Sequence, residues 1–556
     1  MSASAGRPGQ APRGADALVA TLAQAGVPHV FTLSGNHVMS VFDATIGQGV
    51  ELIHTRHEAA TVHMADAWAR LTGQVGIALV TGGPGHANAI SALYTAGMSE
   101  SPVVLLSGHA PLGQLNQGAF QEMAQADMAA PVAKAAWTCQ SAEAVASDVA
   151  RAMRIARSGR PGPVHLSLPS DVLEERIGTA SGTADGPVPG SAILAASDVD
   201  AVLGRLRRAA RPLVLVGPAS LTRRARASCR ELEQALGIPV VGMQSPRGIN
   251  DPALGAFAPM LAAADCVLLL GKRLDFTLGF GRAPAWQDGC EILQVDPDVA
   301  ERERARRLVG TRLVASLAAD APSAIDSLLA AAGRHRASSA AHAAWRDEVA
   351  QAIAYRPVAW DQARSEAGGR LHPVQLCRAL QPLLDSHPDS VLVCDGGEIG
   401  QWAQACLQAP NLVINGSAGA IGVAVPFAIA ARLARPEAPV VAVMGDGAVG
   451  FHIAEYDTAL RYGLPFVGVI GNDARWNAEY QIQLKSYGAD RAIGCDLRPA
   501  RYDAVVAALG GHGERVEGQG ADAAAVTAAV ARARASGLPA CVDVMIEGVA
   551  APVVRR

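Results

Sequence analysis

The chain has 556 residues, half of them hydrophobic and 18% charged, with a formal net charge of -4. That length suggests about two to four domains of roughly 100–200 residues each, and the composition buries large cores, which excludes extended disorder. The weak charge, with no basic tract, argues against nucleic acid as a partner, and no apolar run approaches the roughly 18 residues of a membrane span.

From Val27 the chain alternates short apolar strands with amphipathic helices. Strands are expected at His29–Leu33, Glu51–Thr55, Val75–Thr81 and Pro102–Ser107. Helices are expected from about His37, over Glu58–Leu71 and over Asn88–Met98, and Pro163–Leu168 is a late strand of the same domain. Such βα alternation predicts a parallel sheet covered by helices on both faces. A Gly/Ser/Ala/Pro-rich stretch from Gly178 to Ser191 reads as a linker. A second domain opens near Asp198, with strands at Pro212–Val216, Pro239–Gly242, Cys266–Leu270 and Glu291–Val295. A helix over Ala340–Ala354 leads to a third, with strands at Ser390–Cys394, Val440–Met444, Pro465–Ile470 and Ala540–Met545. The fold class is thus α/β, three consecutive parallel-sheet domains over residues 14–177, 192–335 and 370–550, the first and third alike in layout. The start has no apolar signal-peptide core. The nine cysteines, odd in number and without a C-x-x-C pair, read as reduced thiols of a cytoplasmic protein.

The strongest local chemistry lies in the third domain. Strand Val440–Met444 runs into Gly445-Asp446-Gly447, a helix is expected over Val449–Arg461, and the strand after it ends in Gly471-Asn472-Asp473. Ligands of open α/β sheets bind at the carboxyl ends of strands. Glycines there let backbone N–H groups approach a phosphate, and Asp446 and Asp473 are oxygen donors suited to Mg2+, which commonly shares its coordination with a diphosphate. A lone Gly-Asp-Gly is as often a simple turn; the paired strand-end motifs are far more specific.

This pairing resembles the thiamine diphosphate motif, and the chain over nearly its whole length resembles the superfamily of acetolactate synthase, benzaldehyde lyase and pyruvate decarboxylase. The stretch from Gly445 through Glu455-Tyr456-Asp457-Thr458 to Trp476 looks most like benzaldehyde lyase. The resemblance implies thiamine diphosphate and Mg2+ as cofactors, with the metal held by Asp446, Asp473 and the carbonyl of Arg475. The family usually has Asn where this chain has Asp473, which places one more negative charge beside the diphosphate.

Thr55-Arg56-His57-Glu58-Ala59-Ala60 matches the segment whose glutamate, in the family, hydrogen-bonds N1′ of the cofactor pyrimidine. Alone, Glu58 would be an acidic first-turn residue favoured by the helix dipole. In the family that carboxyl group shares a proton with the ring, whose imino tautomer then takes the thiazolium C2 proton to give the ylid; a carboxyl group in apolar surroundings suits that exchange. The segment Asn415-Gly416-Ser417-Ala418-Gly419-Ala420-Ile421-Gly422 resembles the region that bends the cofactor, with Ile421 as the wedge and Gly419 offering its carbonyl to the 4′-amino group. Gly396 and Gly397, in Asp395-Gly396-Gly397-Glu398, are expected with Gly445 and Gly447 on the diphosphate side. The resemblance implies a homodimer or homotetramer, with active sites between the first domain of one subunit and the third of another.

Substrate contacts are expected from Gln121, within Gly118-Ala119-Phe120-Gln121-Glu122, which matches a segment reaching the reactive end of the cofactor. His37, in Ser34-Gly35-Asn36-His37, corresponds to an active-site turn of benzaldehyde lyase and would shuttle a proton or bind a carboxylate. Glu479 falls where pyruvate decarboxylase carries a proton-handling glutamate, and Asn415 and Gly400 stand in place of a His and a Tyr of the benzaldehyde lyase pocket. In the middle domain, Leu268-Leu269-Leu270-Gly271-Lys272-Arg273-Leu274-Asp275-Phe276 resembles the start of the FAD motif of acetolactate synthases. Thr277-Leu278-Gly279-Phe280-Gly281 departs from it toward oxalyl-CoA decarboxylase and 2-hydroxyacyl-CoA lyase, which counts against FAD and leaves ADP or the CoA handle open. The short tail after Ala540–Met545 lacks the long lid of CoA-using relatives and counts against CoA.

The expected function is a carboligase or lyase acting on small-molecule carbonyl substrates (2-oxo acids, aldehydes or 2-hydroxy ketones). A 2-oxo acid decarboxylase and a 2-hydroxyacyl-CoA lyase are the alternatives. A non-catalytic homologue is disfavoured, because a scaffold needs none of Glu58, Asp446 and Ile421.

Overall fold

The computed structural model describes residues 11–178, 193–333 and 340–555. The expected linker, apart from Gly178, and the middle-domain ends at 192 and 335 lie outside them.

Three parallel sheets carry the chain. The first contains β1 (His29–Thr32), β2 (Glu51–His54), β3 (Gly76–Val80), β4 (Val103–His109), β5 (Ala136–Thr138) and β6 (Val164–Pro169), in the order β2-β1-β3-β4-β6-β5. The second contains β7 (Pro212–Val216), β8 (Val240–Gly242), β9 (Cys266–Leu270), β10 (Glu291–Val295) and β11 (Leu313–Leu317), in the order β11-β10-β9-β7-β8. The third contains β12 (Val391–Cys394), β13 (Asn411–Ile414), β14 (Val440–Gly445), β15 (Val467–Asn472), β16 (His512–Val516) and β17 (Ala540–Met545), in the order β13-β12-β14-β15-β17-β16. The first and third sheets therefore share one strand order. The expected likeness in layout is topological, although no residue repeat announces it.

Inner strands such as β7 (Pro-Leu-Val-Leu-Val) and β9 (Cys-Val-Leu-Leu-Leu) are buried along their whole length. Apolar side chains on both faces of a strand require helices on both faces, and this sets every loop at the carboxyl end of a strand at the rim of a layer.

Four strands were not anticipated: β5, β11, β13 and β16. The helix expected over Val449–Arg461 is broken into Asp446–Val449 and Glu455–Arg461. Gly447 and Gly450 weaken a helix there, and Phe451 packs against Gly422, where an added Cβ would lie 2.3 Å from that of Phe451. The helix expected from Asn88 begins at Pro84, because proline fits the first turn, and β15 continues to Asn472.

Candidate functional site

The carboxyl ends of β12, β14 and β15 open on a cavity of about 230 Å3. Its lining includes Gly396, Gly397, Gly419, Ile421, Gly445, Asp446, Gly447, Asp473, Arg475 and Glu479. The structure thus gathers the expected cofactor, metal and catalytic residues of the third domain around one space, Gly400 excepted. Asp446 is buried and accepts a hydrogen bond from the Arg475 backbone N–H at 3.2 Å. Burial pushes its carboxyl group up to about 6. Asp473 goes up to about 7, through burial and then the negative charge of Asp446. Two mutually repelling carboxylates at neighbouring strand ends suit a shared cation. The Arg475 side chain turns away, pairing with Asp496 at 2.7 Å and lying over the Tyr480 ring.

Asp395 organises the wall opposite. It is buried at the end of β12 and accepts from the backbone N–H groups of Gly396 (2.7 Å), Gly422 (2.9 Å) and Ala424 (2.8 Å). Ile421 is thereby held over Gly396, where a Cβ would meet Ile421 Cγ2 at 2.6 Å and Asn415 Nδ2 at 3.0 Å. Only glycine fits at 396. At Gly447 a Cβ would run into the Trp476 ring at 2.6 Å. Gly400 does not face the cavity as expected of a pocket residue; a Cβ there would strike the Asp395 carbonyl oxygen at 2.0 Å. Glu398 and Arg247, a 3.0 Å ion pair, also line the cavity. Burial raises the Glu398 carboxyl group, and Arg247 opposes that.

The first-domain residues gather around Thr81 and Gly83. Glu58 opens the helix Glu58–Thr72, with His57 as its cap. Its Oε2 accepts from Asn88 Nδ2 at 3.0 Å, and its Oε1 lies 3.4 Å from a Cβ placed on Gly85. His37 is buried, with Nδ1 at 3.0 Å from Thr81 Oγ1, and burial lowers its pKa. Gln121 has a left-handed backbone (φ 58°) and packs on Gly83, whose Cβ would meet the Gln121 carbonyl oxygen at 2.8 Å. Gln125 fixes that turn by accepting from Gly83 N–H at 2.8 Å and donating to the Gly108 carbonyl and Ser167. The motif preceding Glu58 is braced by the helix Glu455–Arg461, since Glu455 accepts from Arg56 N–H at 2.9 Å.

Comparison with known proteins decides what these residues belong to. The thiamine pyrophosphate enzyme family matches in three parts: the N-terminal TPP binding domain over residues 12–128, the central domain over 199–327 and the C-terminal TPP binding domain over 395–544. The acetolactate synthase large subunit IlvG of Mycobacterium tuberculosis is 34% identical over 544 residues, covering 95% of this chain and 94% of that protein. 2-Hydroxyacyl-CoA lyase 2 of Bos taurus is 31% identical, covering 90% and 84%, and that of Homo sapiens is 29% identical with the same coverage. The chain belongs to the thiamine pyrophosphate enzyme family. It is a thiamine diphosphate-dependent enzyme of carbon–carbon lyase or transferase type.

The cavity fits the family's cofactor. Gly396 and Gly447 stay bare backbone at the cavity because Ile421 and Trp476 admit no Cβ there, and Asn415 Oδ1 and Gln401 Oε1, both on lining residues, have no donor among the described residues. Such acceptors suit a ligand that brings amino groups. Among the described residues no cluster of three or more His, Cys, Asp or Glu side chains gathers for a metal. Asp446 and Asp473, with the Arg475 carbonyl, would hold a cation jointly with diphosphate oxygens, as Mg2+ prefers.

Sequence reasoning missed Arg247, Gln401, Asn88, Thr81 and Gln125. Thr81 stands at the strand end before Gly82-Gly83, a signal that was open to reading, whereas the other four sit in no strand-end glycine motif. No helix among the described residues is long and apolar enough to cross a membrane.

Proposed function

We propose that the protein is a Mg2+-dependent carboligase or lyase acting on 2-oxo acids, aldehydes or 2-hydroxy ketones. One observation carries this reading: Asp446, Asp473, Gly419, Ile421 and Glu479 line a single cavity at which Gly396 and Gly447 admit no Cβ. When bound, thiamine diphosphate supplies a nucleophilic C2 carbon. Asp446, Asp473 and the Arg475 carbonyl would hold Mg2+ against its diphosphate, and Ile421 would support its bend. Glu58 would hold a proton at N1′. Gln121 would hydrogen-bond the substrate oxygen, and His37 and Glu479 would move protons at the substrate.

In the single chain the Glu58–Asn88 pair is exposed to solvent, whereas proton sharing by a carboxyl group favours apolar surroundings. That supports a dimer or tetramer in which a second subunit covers Glu58. The nine cysteines are all free, which supports a reducing, cytoplasmic setting. Glu479 at the cavity favours decarboxylation as a second reading, and the similarity to 2-hydroxyacyl-CoA lyase 2 favours acyl-CoA cleavage as a third. FAD is disfavoured in the middle domain, where ADP or CoA is the alternative.

Thiamine diphosphate titration with and without Mg2+, followed by cofactor circular dichroism, should show metal-dependent binding. Product analysis with pyruvate, benzaldehyde, benzoin and a 2-hydroxyacyl-CoA should give a ligated or cleaved hydroxy ketone. Carbon dioxide release without ligation would establish the decarboxylase instead, and absence of cofactor binding would end all three readings.

A further inference from the structure

A second cavity, of about 280 Å3, lies between the helix Arg223–Leu236, the ends of β7 and β8, and Gln404 with Leu412 and Ile414 of β13. The carboxyl ends of β9 and β10 take no part in it, so it is distinct from the switch point between β7 and β9 where that sheet would seat a nucleotide.

Two of its polar groups lack partners. The Arg226 guanidinium makes no hydrogen bond or ion pair among the described residues, and burial and Arg230 together lower its pKa. Gln404 is 4% exposed, and its Nε2 has no acceptor among the described residues. A desolvated guanidinium without a counter-charge is costly, and so is an orphaned amide donor. The two carboxyl groups at the cavity do not answer them. Asp251 accepts from Ala253 N–H at 2.9 Å and lies in the field of Arg356 and Arg247, while Glu233 accepts from Val240 N–H at 3.4 Å. Leu221, Leu254, Leu412 and Ile414 make the remaining wall apolar.

We propose that this cavity binds a small aliphatic carboxylate, its headgroup held by Arg226 and Gln404 and its chain covered by the leucines and Ile414. A guanidinium–carboxylate contact explains the unpaired charge, and the apolar wall selects a hydrocarbon tail over a bare inorganic anion. The site also reaches the cofactor cavity through shared elements. Gln404 stands near the end of the helix Gly397–Cys406, whose first residues line that cavity, and β13 runs directly into Asn415, which lines it too. A ligand that favours one placement of these elements changes thiamine diphosphate affinity, and the cofactor changes the ligand's affinity by the same factor.

The test uses the full-length protein with butanoate and 3-methylbutanoate as probes and inorganic phosphate as the comparison arm, by calorimetry and thermal shift. The carboxylates should bind, phosphate should bind at least about tenfold more weakly, and Arg226→Met should weaken carboxylate binding by about tenfold or more. Without probe, Arg226→Met should melt no lower than wild type, because an unpaired, half-buried charge gives way to an apolar chain. Equal binding by the variant, equal binding of phosphate, or no carboxylate binding overturns the site. A variant that melts several degrees lower marks Arg226 as structural and also overturns it. Identical thiamine diphosphate affinity with and without saturating butanoate overturns the coupling. Cofactor binding by circular dichroism in the same preparation separates these results from failure of the proposed activity.

Discussion

Glu58 shows how much one side chain can do beyond binding. It stands at a helix start and takes the amide of Asn88, and Gly85 lies beside it, where a Cβ would strike Thr81 Cγ2 at 2.8 Å. Replacing it by glutamine keeps the hydrogen bond but removes the titrating proton. Glu58→Gln should slow cofactor C2 proton exchange by about 10²–10⁴-fold, while thiamine diphosphate affinity changes only a few-fold. Exchange is read by NMR after deuterium quench, and a wild-type rate would sink the role. Glu58, Asp446 and Asp473 were legible in the sequence because each stands where an apolar strand run stops, which is where α/β sheets present ligand groups. Asn415 was legible only as part of a matching segment. Arg247 was not legible at all, because its place at the cavity depends on the second and third sheets being brought together by packing far apart in sequence.

At the scale of elements, the wedge loop depends on one buried carboxylate. Asp395 ties the end of β12 to Gly422 and Ala424, and so sets Ile421 against Gly396. Asp395→Ala strands three backbone N–H groups, those of Gly396, Gly422 and Ala424, at a cost of about 3 kcal/mol in total. The variant should melt lower than wild type and bind thiamine diphosphate at least about tenfold more weakly. Unchanged melting and affinity would show that the loop holds itself. The elements that escaped sequence reasoning have a common physical reason. β5, β11, β13 and β16 are all edge strands. β5 and β11 are half-buried throughout, and β16 (His-Gly-Glu-Arg-Val) is half-buried except at its last residue. An edge strand keeps one side to solvent and so lacks the continuous apolar run that marked β7 and β9. β13 is more buried, but its four residues fall between a helix and a glycine-rich segment, too short a run to stand out.

Over the whole molecule, stability against pH combines opposing groups. Burial pushes Asp395, Asp446 and Asp543 up to about 6. A raised carboxyl pKa contributes stability that is present below the unfolded value of 3.8 and is lost as pH rises through the folded value. His86 acts in the opposite sense. It is fully buried beside His165, with ring centroids 4.4 Å apart, its Nδ1 bonded to Ser107 and its Nε2 without a partner among the described residues. Burial, with His109 adding repulsion, lowers it from 6.5 to about 4. Its contribution is fully present above 6.5 and is lost as pH falls toward 4, amounting to about 3 kcal/mol. The wild-type curve cannot isolate either sign, but a difference can. His86→Asn keeps a partner for Ser107 and removes the titration. Measured on cofactor-free protein, its stability relative to wild type should improve by up to about 3 kcal/mol between about pH 7 and about pH 4.5. A constant difference across that range would mean that His86 takes up its proton as readily in the fold as in the unfolded chain, with His165 and His109 arranged to tolerate the charge.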